Sequence, residues 1–77
     1  MTPAQAVQVA PGRCRVGFWN LSGRDVSLVV DGKSITVGRN RSVTMEVSRE
    51  FVWRVDEQAA QSERVAQDKA SHEIVIR

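Results

Sequence analysis

Residues 26–37 read VSLVVDGKSITV. Two runs rich in β-branched residues flank Asp31-Gly32, and a two-residue turn between antiparallel strands needs positive φ at both turn positions, which Asp and Gly tolerate. Such a hairpin sets its own register. Val30 faces Lys33, Leu28 faces Ile35 and Val26 faces Val37, so apolar residues lie opposite apolar residues on one face of a sheet.

The same counting extends outward. A three-residue loop at Leu21-Ser22-Gly23, with Gly23 in the left-handed region, sets Phe18 against Val26, Val16 against Leu28 and Cys14 against Val30. A loop at Arg39-Asn40-Arg41, with Asn40 left-handed, sets Val37 against Val43 and Ile35 against Met45. One at Ser48-Arg49-Glu50 sets Val47 against Phe51 and Met45 against Trp53. The expectation is a five-stranded meander over 13–20, 25–30, 33–38, 42–47 and 51–56. Its apolar face carries Cys14, Val16, Phe18, Val26, Leu28, Val30, Ile35, Val37, Val43, Met45, Val47, Phe51, Trp53 and Val55. The final HEIVIR adds a strand with Ile74 and Ile76 on one face, so the sheet is expected to curl into a small antiparallel β-sandwich or barrel closed by the C-terminal strand.

Residues 56–71, DEQAAQSERVAQDKAS, hold no Gly or Pro and are rich in Ala, Gln and Glu. Composition, with Asp56 as an N-cap, predicts a short helix over 57–70. Its apolar positions keep a poor 3.6-residue period, which leaves open a long connection with a short strand around Glu63–Ala66.

With 77 residues, the chain has room for one domain, read as a flexible leader over 1–12 and a β domain over 13–77. A hydrophobic fraction of 42% and a charged fraction of 26% suit a folded domain rather than a disordered one. The single cysteine, Cys14, can neither form an internal disulfide nor anchor a paired-cysteine metal site, and the expected compartment is the cytoplasm. The opening residues MTPAQAVQVAPG lack the basic and apolar regions of a signal peptide, and no run is long enough to span a membrane. The sequon Asn20-Leu21-Ser22 therefore reads as a turn. Net charge is +2, with eight of the eleven Lys and Arg in residues 1–55 and five of the nine Asp and Glu in residues 56–77.

CRVGFWNLSGRDV (14–26) followed by REFVWRVDE (49–57) resembles the β-domain of the von Hippel–Lindau family. The matching residues are Arg15, Val16, Phe18, Asn20, Ser22, Arg24 and Val26, then Trp53 and Asp56. The resemblance implies a β-sandwich and does not carry the family's activity. Its hydroxyproline pocket uses a Ser, a Tyr and a His before the Trp, where this chain has Val47, Ser48 and Phe51, and its helical domain has no counterpart here.

No residue pattern points to catalysis. His72, the only histidine, sits at a strand end beside Glu73 and away from Cys14, and reads as a surface residue. The glycines at 12, 17, 23, 32 and 38 match no phosphate-binding spacing and read as turn or bulge residues. No cofactor or metal is expected. Trp19 is different, because period two puts it on the face opposite the core, where a large indole signals a covering partner. Val29, Val52 and Val75 are expected to add apolar area on that side. The leading expectation is a non-enzymatic module that binds a protein partner, or a copy of itself, through Trp19, Val29 and Val52. The alternative is nucleic acid or another polyanion bound at an arginine-rich rim of Arg24, Arg39 and Arg41, with Asp25, Asp56 and Glu57 at the same end to offset it.

Overall fold

A computed structural model describes residues 12–77, so the expected leader, apart from Gly12, lies outside the described residues. Seven strands follow in order: β1 (Arg13–Asn20), β2 (Val26–Val30), β3 (Lys33–Val37), β4 (Ser42–Ser48), β5 (Glu50–Val55), β6 (Gln61–Arg64) and β7 (Ser71–Ile76). They form a three-stranded sheet, β4-β1-β7, and a four-stranded sheet, β3-β2-β5-β6. The protein is all-β, and among the described residues no helix is long and apolar enough to cross a membrane.

The central hairpin forms in the register that its turn demands. Val26 lies opposite Val37, Leu28 opposite Ile35 and Val30 opposite Lys33, while Asp31 (φ 49°) and Gly32 (φ 86°) both take the left-handed region. Gly23 (φ 88°) and Asn40 (φ 60°) are left-handed as their loops require. The strands that those loops join, however, do not pair. β1 pairs with β4 (Phe18 opposite Val43, Val16 opposite Met45) and, in parallel, with β7 (Phe18 opposite Ile74). The expected pairings of β1 with β2, β3 with β4 and β4 with β5 are therefore overturned, and the meander with them. The physical reason is coverage: a single sheet leaves its whole apolar face wet, whereas chain segments that cross from sheet to sheet let each apolar face cover the other.

Side-chain parity survives this rewiring, because it depends on position along the strand and not on the neighbour. Cys14, Val16, Phe18, Val26, Leu28, Val30, Val37, Val47, Phe51, Val55, Ile74 and Ile76 are buried in one core, with Ile35, Val43, Met45 and Trp53 partly buried against it. Phe18 packs edge-on against Phe51 (centroids 6.3 Å) and Trp53 (6.0 Å), linking the two sheets. Burying one such ring stabilises by about 1.5–3 kcal/mol.

Of the two readings of 57–70, the helix does not form and the long connection with a short strand does, the strand lying at Gln61–Arg64 rather than around Glu63–Ala66. The segment's apolar residues are alanines and one valine, too little to give a helix a buried face. Instead β6 pairs with β5, Glu50 opposite Arg64 and Trp53 opposite Gln61, and Val65 drops into the core. Asp56 is no N-cap but a left-handed turn residue (φ 52°). Its backbone N–H donates to the Ser27 carbonyl (2.8 Å) and its Oδ1 accepts from the Ser27 N–H (2.9 Å). At the other end of β2, Asp31 treats Val52 in the same way, by backbone N–H (2.8 Å) and Oδ1 (2.9 Å). Two aspartates at positive φ thus extend the β2–β5 ladder at both ends.

One buried polar side chain ties the sheets. Asn20, wholly excluded from solvent, donates through Nδ2 to the carbonyls of Arg24 (2.8 Å), Val37 (2.9 Å) and Gly38 (3.1 Å). Its Oδ1 accepts from the Ser22 N–H (3.1 Å) and hydroxyl (2.6 Å). Its backbone N–H donates to Arg41 O and its carbonyl accepts from Asn40 N–H. The sequon is thus a structural turn with its amide enclosed. Asn20→Ala is expected to lower the unfolding free energy in urea by about 3 kcal/mol, since it removes several enclosed hydrogen bonds that contribute about 0.5–1.5 kcal/mol each. Asn20→Asp should lose more, because a carboxylate cannot donate to three carbonyls. An alanine variant as stable as the parent would show that the pin is dispensable.

Candidate interaction site

The outer face of the three-stranded sheet is built around a gap in β1. Gly17 lies in mid-strand, opposite Thr44 on β4 and Glu73 on β7, and it is neither a turn nor a bulge as its sequence context suggested. It is buried although it faces outward. The Glu73 carboxylate lies over it: a Cβ at position 17 would come 2.7 Å from Oε1. From there Oε1 accepts a hydrogen bond from the Trp19 indole N–H. A glycine inside a strand commonly marks such a close approach. Glu73 thereby holds the polar edge of the indole.

Trp19 is 47% exposed. Val75, its direct neighbour in the parallel β1–β7 pairing, is 44% exposed. Leu21 follows on the same side, held as the next rung by its N–H to the Ile76 carbonyl (2.7 Å), and is 48% exposed. These three make up one contiguous apolar strip at the end of the sheet. Arg15 shares the outer face of β1, and Arg77 follows Val75 at the margin of the strip.

Val29 and Val52 are not part of it. Both project from the outer face of the other sheet, Val29 beside Arg54 and Ser34, so the expected grouping of Trp19, Val29 and Val52 is corrected. In a single sheet the outward residues share one surface; in a sandwich the two outward faces look in opposite directions. Val75 does lie beside Trp19, as its parity suggested. Leu21, assigned to a loop, and Glu73 were missed; mid-strand Gly17 was the legible sign that something approaches β1.

The loops at 21–25 and 38–41 and the turn at Asp56 do gather at one end, and Arg24, Arg39 and Arg41 with them. Arg24 is bound to Asp56 Oδ2 (2.6 Å), and Asp25 Oδ1 accepts from the Arg39 backbone N–H (2.8 Å). The stem of Arg41 packs against Gly38. The rim is therefore mixed in sign, with Gly23, Arg24, Asp25 and Arg39 around a shallow hollow.

His72 is half-buried rather than a plain surface residue. Its Nε2 lies 3.9 Å from Glu63 Oε1, and Glu63 Oε2 accepts from the Trp53 indole N–H (3.2 Å). This chain of contacts joins β7 to β6 across the side of the sandwich. Cys14 is buried in the core. Among the described residues, no three His, Cys, Asp or Glu side chains converge as a metal site would require.

Comparison with protein-family models, with curated proteins and with solved structures finds no match to this chain.

The contact geometry at Gly17 makes a specific prediction. Gly17→Val should displace only the flexible end of Glu73, so the urea midpoint should change by less than about 1 kcal/mol equivalent, strand preference favouring valine. The indole of Trp19 should lose its partner and its emission should shift, read in a Trp53→Phe background. An unchanged Trp19 spectrum would mean that Glu73 does not hold the ring.

Proposed function

We propose that this chain is a non-enzymatic β-sandwich interaction module that binds another protein through the outer face of the β4-β1-β7 sheet. The observation that carries the proposal is the strip Trp19–Leu21–Val75, in which an aromatic ring is held at its polar edge by Glu73 and remains about half exposed beside two exposed aliphatic residues. A ring fixed in place before binding loses little freedom on docking, and Trp is among the residues that most often dominate interface energy. Arg77 follows Val75 at the margin of the strip, which favours a partner surface with an apolar centre and an acidic group at that margin. The polyanion alternative is weakened by the commitment of Arg24 to Asp56 and by Asp25 beside Arg39. The von Hippel–Lindau resemblance supports the sandwich alone, and the single buried thiol suits a reducing compartment such as the cytoplasm.

The test places a photo-reactive side chain at Leu21 or Val75 on one face and at Val29 or Val52 on the other, in the cells that make the protein. Protein adducts are expected from positions 21 and 75 and not from 29 and 52. Trp19→Ala should remove about 2 kcal/mol of binding, roughly 30-fold in affinity, while leaving the melt nearly unchanged. Trp53→Ala, which opens the core beside Phe18, should instead cost about 3–5 kcal/mol of stability. Adducts from the Val29 face alone, or adducts sensitive to nuclease, would overturn the proposal.

A further inference from the structure

β4 is a seven-residue strand at the edge of its sheet, paired with β1 without interruption from Arg13 opposite Ser48 to Trp19 opposite Ser42. The direction of its backbone groups follows from one bond. Asn20 N–H donates to Arg41 O, so by the alternation of an antiparallel ladder the groups of Val43, Met45 and Val47 point to β1. Those of Ser42, Thr44, Glu46 and Ser48 then point away from it. Arg15 N–H to Ala70 O and Leu21 N–H to Ile76 O confirm that the intervening residues of β1 turn to β7.

Edge strands are usually blunted by shortness, charge, proline or a bulge. β6 has four residues and carries Glu63 and Arg64, β3 begins at Lys33, and β7 carries His72 and Glu73. β4 has no proline, lysine or break in register, and its one charge, Glu46, is paired with Arg13 (3.5 Å). Val43 and Met45 lie along this edge only partly buried, on the core side.

We propose that β4 pairs antiparallel with β4 of a second copy of this chain about a twofold axis at Thr44, joining two three-stranded sheets into one of six. The sequence SVTMEVS is compatible with its own reversal at this register. Ser42 meets Glu46 of the copy, Thr44 meets Thr44 and Val43 meets Met45, so no like charges face each other and the two half-buried apolar residues cover one another. The Glu46 carbonyl already accepts from Arg13 Nη2 (2.8 Å) and offers its second lone pair to the copy's Ser42 N–H. The dimer uses the backbone edge of β4, whereas the partner reading uses the indole on the sheet's outer face; Ser42 lies opposite Trp19, so Thr44→Lys and Trp19→Ala are needed to tell the two readings apart.

Sedimentation and light scattering across a concentration series, with amide exchange by NMR, test the dimer. The parent chain should reach twice its single-chain mass as concentration rises. The Ser42 and Thr44 amides should become protected over the same range, while Val43 and Met45 are protected throughout. Thr44→Lys, at an exposed position, puts two ammonium groups side by side at the axis and should weaken the dimer roughly tenfold or more without changing the melt of the dilute protein. Trp19→Ala should leave the dimer intact. A parent chain that stays at single mass up to millimolar concentration would overturn the proposal. So would a dimer that survives Thr44→Lys but is lost in Trp19→Ala.

Discussion

The fold depends on the enclosure of Asn20. At the end of β1 the chain must leave one sheet for the other, while the turn at 38–41 brings β3 out of the second sheet and into β4 of the first. Carbonyls of Arg24, Val37 and Gly38 converge there, where β3 ends and the regular ladders stop. A single carboxamide directs its two N–H groups at all three, one of them shared, and, with its oxygen, holds Ser22 in the turn between. An apolar residue in that position would remove the one group that joins these three carbonyls to β1, leaving only the local bonds from Ser22 Oγ to Arg24 O and from Arg41 N–H to Gly38 O. Acidic residues work at the same end: Asp25 receives the Arg39 N–H, and Asp56 receives Ser27 and Arg24. The crossing between the sheets is therefore a polar structure set into an apolar sandwich, with its hydrogen bonds closed within the protein.

The other end is closed differently. Between β4 and β5, Arg49 changes sheets and accepts the Val65 N–H at its carbonyl, while its guanidinium reaches the carbonyls of Ala66 and Lys69 (2.6 Å each). The segment after β6 is thus fastened by a side chain from a distant crossing rather than by helical hydrogen bonds of its own. This is why strong helix-forming composition over 57–70 is overridden: Val65 gains burial, and the backbone gains partners in β5 and Arg49, which an alanine-faced helix would not offer.

The candidate interaction face rests on an absence of side chain. Without a Cβ at Gly17, the Glu73 carboxylate lies across β1 and reaches the Trp19 indole; with one, it would be pushed aside. Nothing about position 17 alone indicates Trp19 or Glu73, because their meeting depends on the parallel pairing of β1 with a strand more than fifty residues later in the chain.

The sequence by itself determined which residues turn and which face inward. Asp31-Gly32, Gly23 and Asn40 adopt the left-handed backbone that their residue types permit, and alternation alone assigns the core from Cys14 to Ile76 and puts Trp19 outside, since a strand's two faces are set by chain geometry whatever lies beside it. Tertiary structure decided which strand lies beside which: the pairing of β1 with β4 and β7, the separation of Val29 and Val52 from Trp19, and the strand at 61–64. Positive φ at Gly23 or Asn40 serves a hairpin and a crossing between sheets equally well, so the choice falls to the interaction of the whole apolar face with its cover. That is a property of all the strands together, and no local stretch contains it.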